Sequence, residues 1–232
     1  MIDDLLSRIQ AYENRIQECW SRRAQEQAEK EENDWEEEYW EEDNPDSDIE
    51  HIRVDPREEV PDVLEFDATW ETINGQLATW QNSTRPLRYT VTSDNPWYFD
   101  IDGVVFSKET GLLVLFPPGW GSEYCVPDDE RITGIGHKAF TGNQFLKKIT
   151  LNDRIKYIGK NAFTDCCELE GIELPAAVEY VENGASAHCI NLKKAILHFS
   201  VTAIPKGIFR YNSALETVRY PAQISCIEKY AF

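Results

Sequence analysis

Leu146, Leu169, Leu192 and Leu215 stand 23 residues apart, and whole ladders of apolar positions follow them at the same period. Ile149, Ile172, Ala195 and Val218 form one ladder, and Leu151, Leu174, Leu197 and Tyr220 a second. Ile155, Val178, Val201 and Ile224 form a third, and Ile158, Val181, Ile204 and Ile227 a fourth. Self-similarity at a fixed short period is the signature of a stacked-repeat solenoid. Within each unit, L-x-x-I-x-L ends in the alternation of a short strand with one buried face. The V-x-x-I and A-F that follow space apolar groups as a short helical or 3₁₀ turn does. No unit can bury these residues alone, but stacked neighbours turn them into one continuous core. Four strand-bearing units and a shorter leading one exceed the roughly three that such a stack needs.

The turn motifs recur as IGHKAF (135–140), IGKNAF (158–163), IPKGIF (204–209) and IEKYAF (227–232). Strand-plus-proline units recur as IELP (172–175) and VRYP (218–221). Together these resemble the BspA-like class of leucine-rich repeats, over roughly residues 98–232. The segment DGVVFSKETGLLVLFPPG (102–119) is similar to the hairpin that often opens such arrays, placed here at 102–117. The resemblance implies an α/β leucine-rich-repeat solenoid. It also implies a surface, adhesin-like role as one alternative. Two departures stand out. VENGAS (181–186) has Ser186 where the other turns have phenylalanine. The first turn runs two residues longer from Val126 to Ile132 than the next does from Leu151 to Ile155.

A further ladder runs through Asn143, Cys166, Cys189 and Asn212. Asn or Cys at this point can hydrogen-bond backbone groups at the turn, which gives Cys166 and Cys189 a structural role. The chain has no C-x-x-C pair and no histidine at zinc-ligand spacing, so neither a metal nor a cofactor is expected. His51, His137, His188 and His198 lack a cysteine, serine or carboxylate partner at motif spacing. The GWG at 119–121 lacks the Lys-Ser/Thr of a phosphate loop. No catalytic residue is expected, and the reading is a binding protein rather than an enzyme.

The net charge of −19 is unevenly placed. Residues 1–66 hold 23 acids and 7 bases, whereas 67–232 hold 19 acids and 16 bases. Direct nucleic-acid binding needs a basic surface and is therefore not expected. A protein partner with a basic surface is the better electrostatic match. No apolar run of 18 residues exists, so no membrane span is expected. The start MIDDLLSRIQ has no apolar leader core, which makes a cytoplasmic location the expectation and secretion to a surface the alternative.

The sequence divides into an acidic helical arm and strap (1–66), a cap (67–97) and the repeat array (98–232). Ile2, Leu5, Ile9, Tyr12 and Ile16, continued by Cys19, follow 3-4 spacing and predict a helix from about 3 to 30 with a seam for self-association or a partner. Twelve acids lie between Glu31 and Glu50, with Trp35, Tyr39 and Trp40 among them. Aromatic anchors ringed by Glu36, Glu37 and Glu38 suit docking onto a basic protein groove. An inhibitor of a nucleic-acid-handling protein is the alternative for this arm. Pro45, Pro56 and Pro61 make 45–66 a strap, Trp70, Ile73, Leu77 and Trp80 predict a short helix over 67–82, and LRYTVTS (87–93) alternates like a strand. The chain stops on Ala231–Phe232 in mid-repeat, and an uncapped edge there implies self-association, a partner or truncation.

The working surface is expected on the outward positions of the repeat strands. These are Lys148, Thr150 and Asn152; Gly171, Glu173 and Pro175; Lys194, Ile196 and His198; and Thr217, Arg219 and Pro221. Of these, Lys148, Thr150, Glu173, Lys194, Ile196, His198, Thr217 and Arg219 are the candidate partner contacts, an apolar Ile196 set among bases.

Overall fold

The computed structural model describes residues 63–67, 88–118, 120–198 and 202–232. All belong to one compact unit, Pro56–Phe232. The expected helix over 3–30 with its seam, and the acid- and tryptophan-rich stretch 31–50, lie outside the described residues. So does the short helix expected over 67–82, apart from Asp67, which is not helical.

The described residues are strands and turns, with no helix among them. The strand β1 (Val63–Phe66) pairs in parallel with β2 (Arg88–Val91), where the alternation of LRYTVTS predicts a strand. Then β3 (Tyr98–Ile101), β4 (Val104–Ser107) and β5 (Leu112–Leu115) form an antiparallel meander. Its second hairpin is the one expected to open the array. From there on every pairing is parallel, because each strand belongs to a new turn of one coil.

Each turn contributes two strands. The first sheet holds β6 (Glu123–Cys125), β8 (Lys148–Thr150), β10 (Gly171–Leu174), β12 (Lys194–Leu197) and β14 (Thr217–Arg219), in that spatial order. These are the I-x-L segments of the sequence. Ile149, Ile172, Ala195 and Leu174 point inward and are buried. The second sheet continues from β5 through β7 (Gly134–Ile135), β9 (Tyr157–Ile158) and β11 (Tyr180–Val181). The last two short strands, β13 (Ala203–Ile204) and β15 (Cys226–Ile227), pair with each other.

The A-F segments close each coil, and here the helical or 3₁₀ turn is corrected. Single i→i−3 bonds form, such as Thr141 N to Lys138 O at 3.1 Å and Thr164 N to Asn161 O at 3.1 Å. They do not propagate, because the turns hold left-handed residues, two in each turn but the last. Lys138, Asn161 and Tyr230 occupy one such position, with Gly184 and Gly207 between them, and Asp165, His188 and Tyr211 occupy the other with Gly142. A right-handed helix cannot pass through a positive φ. The freed N–H groups reach the neighbouring coil instead: Phe140 N to Ala162 O and Phe163 N to Ala185 O, both 2.8 Å. The architecture is thus a β-solenoid rather than an α/β one.

The core runs along this edge as stacked rings. Phe116 and Phe140 lie 4.5 Å apart, Phe140 and Phe163 5.1 Å, and Phe209 and Phe232 6.0 Å. Burying the Phe116, Phe140, Phe163 and Phe209 rings contributes about 1.5–3 kcal/mol each, whereas Phe232 is 55% exposed. Ser186 interrupts the stack but not the backbone ladder. Its N–H donates to Ile208 O at 3.0 Å, and its carbonyl accepts from Asn212 Nδ2 at 2.9 Å. The Asn/Cys ladder does what its residue types allow. Asn143 Oδ1 accepts from Phe145 N and Leu146 N, while the thiols of Cys166 and Cys189 donate to Phe140 O at 3.2 Å and Phe163 O at 3.1 Å. Burial raises both thiols well above their usual pKa.

The longer first turn is an exposed charge cluster. Arg131 grips Asp129 with two nitrogens and lies 4.1 Å over the Phe99 ring, while Arg154 reaches Asp128. Hydrogen bonds from Arg131 hold the Asp129 carboxyl down at about 2. In the last described turn, ladder positions that are buried in earlier turns are open: Ile158 and Ile204 are fully buried, whereas Ile227 is 53% exposed.

Candidate functional site

The outward side chains of the first sheet stand in rows, because parallel in-register strands place equivalent residues side by side about 4.8 Å apart. One row reads Glu123, Lys148, Gly171, Lys194, Thr217. The next begins with the pair Cys125 and Thr150 and continues through Glu173, Ile196 and Arg219. Between β6 and β12 these rows line a groove of about 750 Å³.

Six of the eight candidate contacts line this groove: Lys148, Thr150, Glu173, Lys194, Ile196 and His198. Thr217 and Arg219 are exposed on β14, beyond it. Ile196 is half-buried rather than fully open, since it sits in mid-sheet between Glu173 and Arg219. Pro175, expected to face outward, lines the groove but is itself buried. Asn152 is half-buried and its amide is engaged: Nδ2 donates to Val126 O and Pro127 O, and Oδ1 accepts from Arg154 N. It therefore holds the longer first turn in place. Trp35, Glu36, Glu37, Glu38, Tyr39 and Trp40 lie outside the described residues.

Charges in the groove are unevenly engaged. His198 Nε2 and Glu173 Oε1 lie 2.9 Å apart. Lys147 reaches Glu168 at 3.8 Å. Lys148 and Lys194 have no ion-pair partner within 4 Å among the described residues. Between them lies Gly171, so the floor there is bare backbone. Ser122, Glu123, Lys147, Asp153 and Glu170 also line the groove. They fall outside the outward positions of the L-x-x-I-x-L alternation. The signal was present in the aligned units, where 122, 147, 170 and 193 are all polar.

On the second sheet, Tyr157 and Tyr180 stack at 6.0 Å with nearly parallel rings, and Tyr180 is 58% exposed. Burial and Glu182 push the Tyr157 hydroxyl up to about 12. Among the described residues, no three of His, Cys, Asp or Glu converge as metal ligands would. No helix among them is long and apolar enough to cross a membrane.

The chain is similar in fold to a leucine-rich repeat protein from Eubacterium ventriosum, at 21% identity and a TM-score of 0.64 over 74% of this chain and 45% of that one. It also aligns with the pneumococcal vaccine antigen PcpA, at 20% identity and a TM-score of 0.48 over 71% of this chain and 46% of that one. A leucine rich cell surface protein from Faecalibacterium prausnitzii aligns at 22% identity and a TM-score of 0.46, over 58% of this chain and 42% of that one. The chain thus spans less than half the length of each of these proteins. No curated protein matches it. Residues 126–232 match the BspA type leucine rich repeat region in six copies. With the fold, the turn motifs and the coil-by-coil ladders in agreement, residues 126–232 are leucine-rich repeats of the BspA type.

Proposed function

We propose that this chain is a non-catalytic protein-interaction module that holds a segment of a partner protein in the groove of the first sheet. The observation that carries this reading is the coincidence of six sequence-selected contacts with one groove of about 750 Å³. Its lining mixes an apolar centre at Ile196 with charged and hydroxyl groups, as partner-binding surfaces do. Repeat solenoids of this kind generally bind rather than catalyse, and they do so through variable positions on a rigid strand surface. The acid-rich stretch 31–50 is proposed as a second contact, directed at a basic protein surface.

The test places a photo-crosslinking amino acid at Thr150, at Ile196 and, on the other sheet, at Tyr180. Products that form from the first two positions only are then identified. A purified partner should lose at least tenfold in affinity with Ile196→Asp and retain it with Tyr180→Ser. Crosslinks distributed evenly over all three positions would refute the groove. For the acidic contact, Trp35→Ala combined with Trp40→Ala should weaken binding, and added salt should weaken it further. Affinity indifferent to both would remove that stretch from the reading.

A further inference from the structure

Gly171 is a glycine that the fold does not require. At three other glycines of the coil a β-carbon would strike backbone. It would lie 2.6 Å from Tyr157 O at Gly134, 2.7 Å from Leu113 O at Gly136 and 2.7 Å from His137 N at Gly159. At Gly171 it would meet only Lys194 O, at 3.7 Å, an ordinary contact. Its φ is not in the left-handed region either. Gly171 opens its strand, and a strand glycine weakens the strand and marks a bulge, a tight bend or a place where a ligand or another backbone comes close. Gly171 lies on the groove floor, in register with Lys148 on one side and Lys194 on the other.

The two lysines are separated by about 10 Å between α-carbons, two strand spacings. Their flexible stems allow both ammonium groups to converge on a group lying over Gly171. Two other lysines of the coil find carboxylates, Lys156 with Glu179 at 3.2 Å and Lys147 with Glu168. Lys148 and Lys194 do not, and the acid in the next row, Glu173, is taken by His198.

On the reading that the groove holds a partner segment, we propose that Lys148, Gly171 and Lys194 form a subsite for a single carboxylate carried on an extended peptide. Glu123, Glu170 and Asp153 also line the groove. They lie within reach of a run of anionic charge, given a screening length of about 8 Å, and so disfavour a polyanion. One carboxylate flanked by neutral residues meets the least of this repulsion, although Glu123 stands in register beside Lys148. The groove crosses from β6 to β12, about 14 Å, which an extended segment of four or five residues spans. A neutral apolar side chain beside the carboxylate meets Ile196 in the next row.

The experiment is an amide-resolved NMR titration of the full chain with the pentapeptide acetyl-Thr-Val-Glu-Val-Thr-amide. Its glutamine counterpart and a heparin-derived hexasaccharide serve as the other two probes. The glutamate peptide should shift the amides of residues 148, 171 and 194 saturably and bind at least tenfold tighter than the glutamine peptide. Lys148→Met and Lys194→Met should each cost at least fivefold, and Gly171→Leu at least tenfold. Gly171→Ala, which fits the space, should cost about threefold with no loss of melting temperature. Equal binding of the two peptides overturns the subsite, as does affinity unchanged in Gly171→Ala and the lysine variants. Tighter binding of the hexasaccharide at the same amides overturns the peptide assignment. If no probe binds while the crosslinks from Thr150 and Ile196 persist, the subsite fails and the groove stands. Loss of those crosslinks is what fells the groove itself.

Discussion

Gly159 and Gly171 are both strand-region glycines of adjacent coils, and they do opposite jobs. On the second sheet, the coil carrying Gly159 packs against the backbone of Gly136 and His137, with no room for a methyl group. On the first sheet, Gly171 has space above it and nothing pressing on it. The second sheet and the turn edge are governed by packing, and their side chains answer to neighbours within the coil. On the outward rows of the first sheet, Glu173 meets His198, whereas Lys148 and Lys194 have no ion-pair partner among the described residues. Residue choice there is available for binding, whereas the same 23-residue period elsewhere only repeats what the core demands.

The largest expected effect tests the packed side of this comparison. Phe163 is fully buried and stacked on Phe140, so Phe163→Ala should cost about 3–5 kcal/mol, seen as a lower urea midpoint. A loss below about 1 kcal/mol would mean that the ring stack is not a core, against what burial of an aromatic contributes. Gly159→Ala comes next. Its methyl would sit 2.7 Å from His137 N and 2.8 Å from Gly136 C, and overpacking against backbone should cost about 2–3 kcal/mol. Neutral behaviour at that position would erase the contrast with Gly171.

The cysteines sharpen the same contrast at lower amplitude. Cys189→Ala removes a buried sulfur and its donation to Phe163 O, and should cost about 1 kcal/mol. In the folded protein, iodoacetamide should label Cys125 and Cys226, which are exposed, before Cys166, Cys167 and Cys189, which are buried. Burial keeps the Cys166 and Cys189 thiols protonated as well as covered. Early modification of either would contradict the ladder.

The period made the coil legible because one-dimensional stacking writes each contact into the sequence at a constant offset. Ile149, Ile172 and Ala195 are buried, as their alternation requires, and the Asn/Cys ladder bonds backbone as its residue types allow. The turn conformation was not legible. The left-handed residues are Lys138, Asn161 and Tyr230 as well as glycines, so composition does not announce them. Only the interlocking of each turn with the next coil holds such residues there. Pro175 follows the strand end at Leu174 and is itself buried, yet it lines the groove with the outward residues. The groove was legible in its outward rows and missed at its margins, where Lys147, Glu170 and Asp153 lie outside the strands.

The smallest expected effect is the most discriminating, because it carries the opposite sign. Gly171→Ala places a methyl group in free space at a conformation alanine adopts without strain. It also removes conformational freedom from the unfolded chain, so it should stabilise the protein by about 0.4–1 kcal/mol, measured as a higher urea midpoint. A glycine that weakens its own sheet, and is improved by the simplest substitution, needs a reason outside stability. If Gly171→Ala raises the midpoint while weakening the carboxylate peptide, stability and binding are opposed at one residue, as expected where a chain leaves room for a ligand. If it lowers the midpoint by as much as Gly159→Ala does, both glycines serve packing, and the two sheets are governed by one rule.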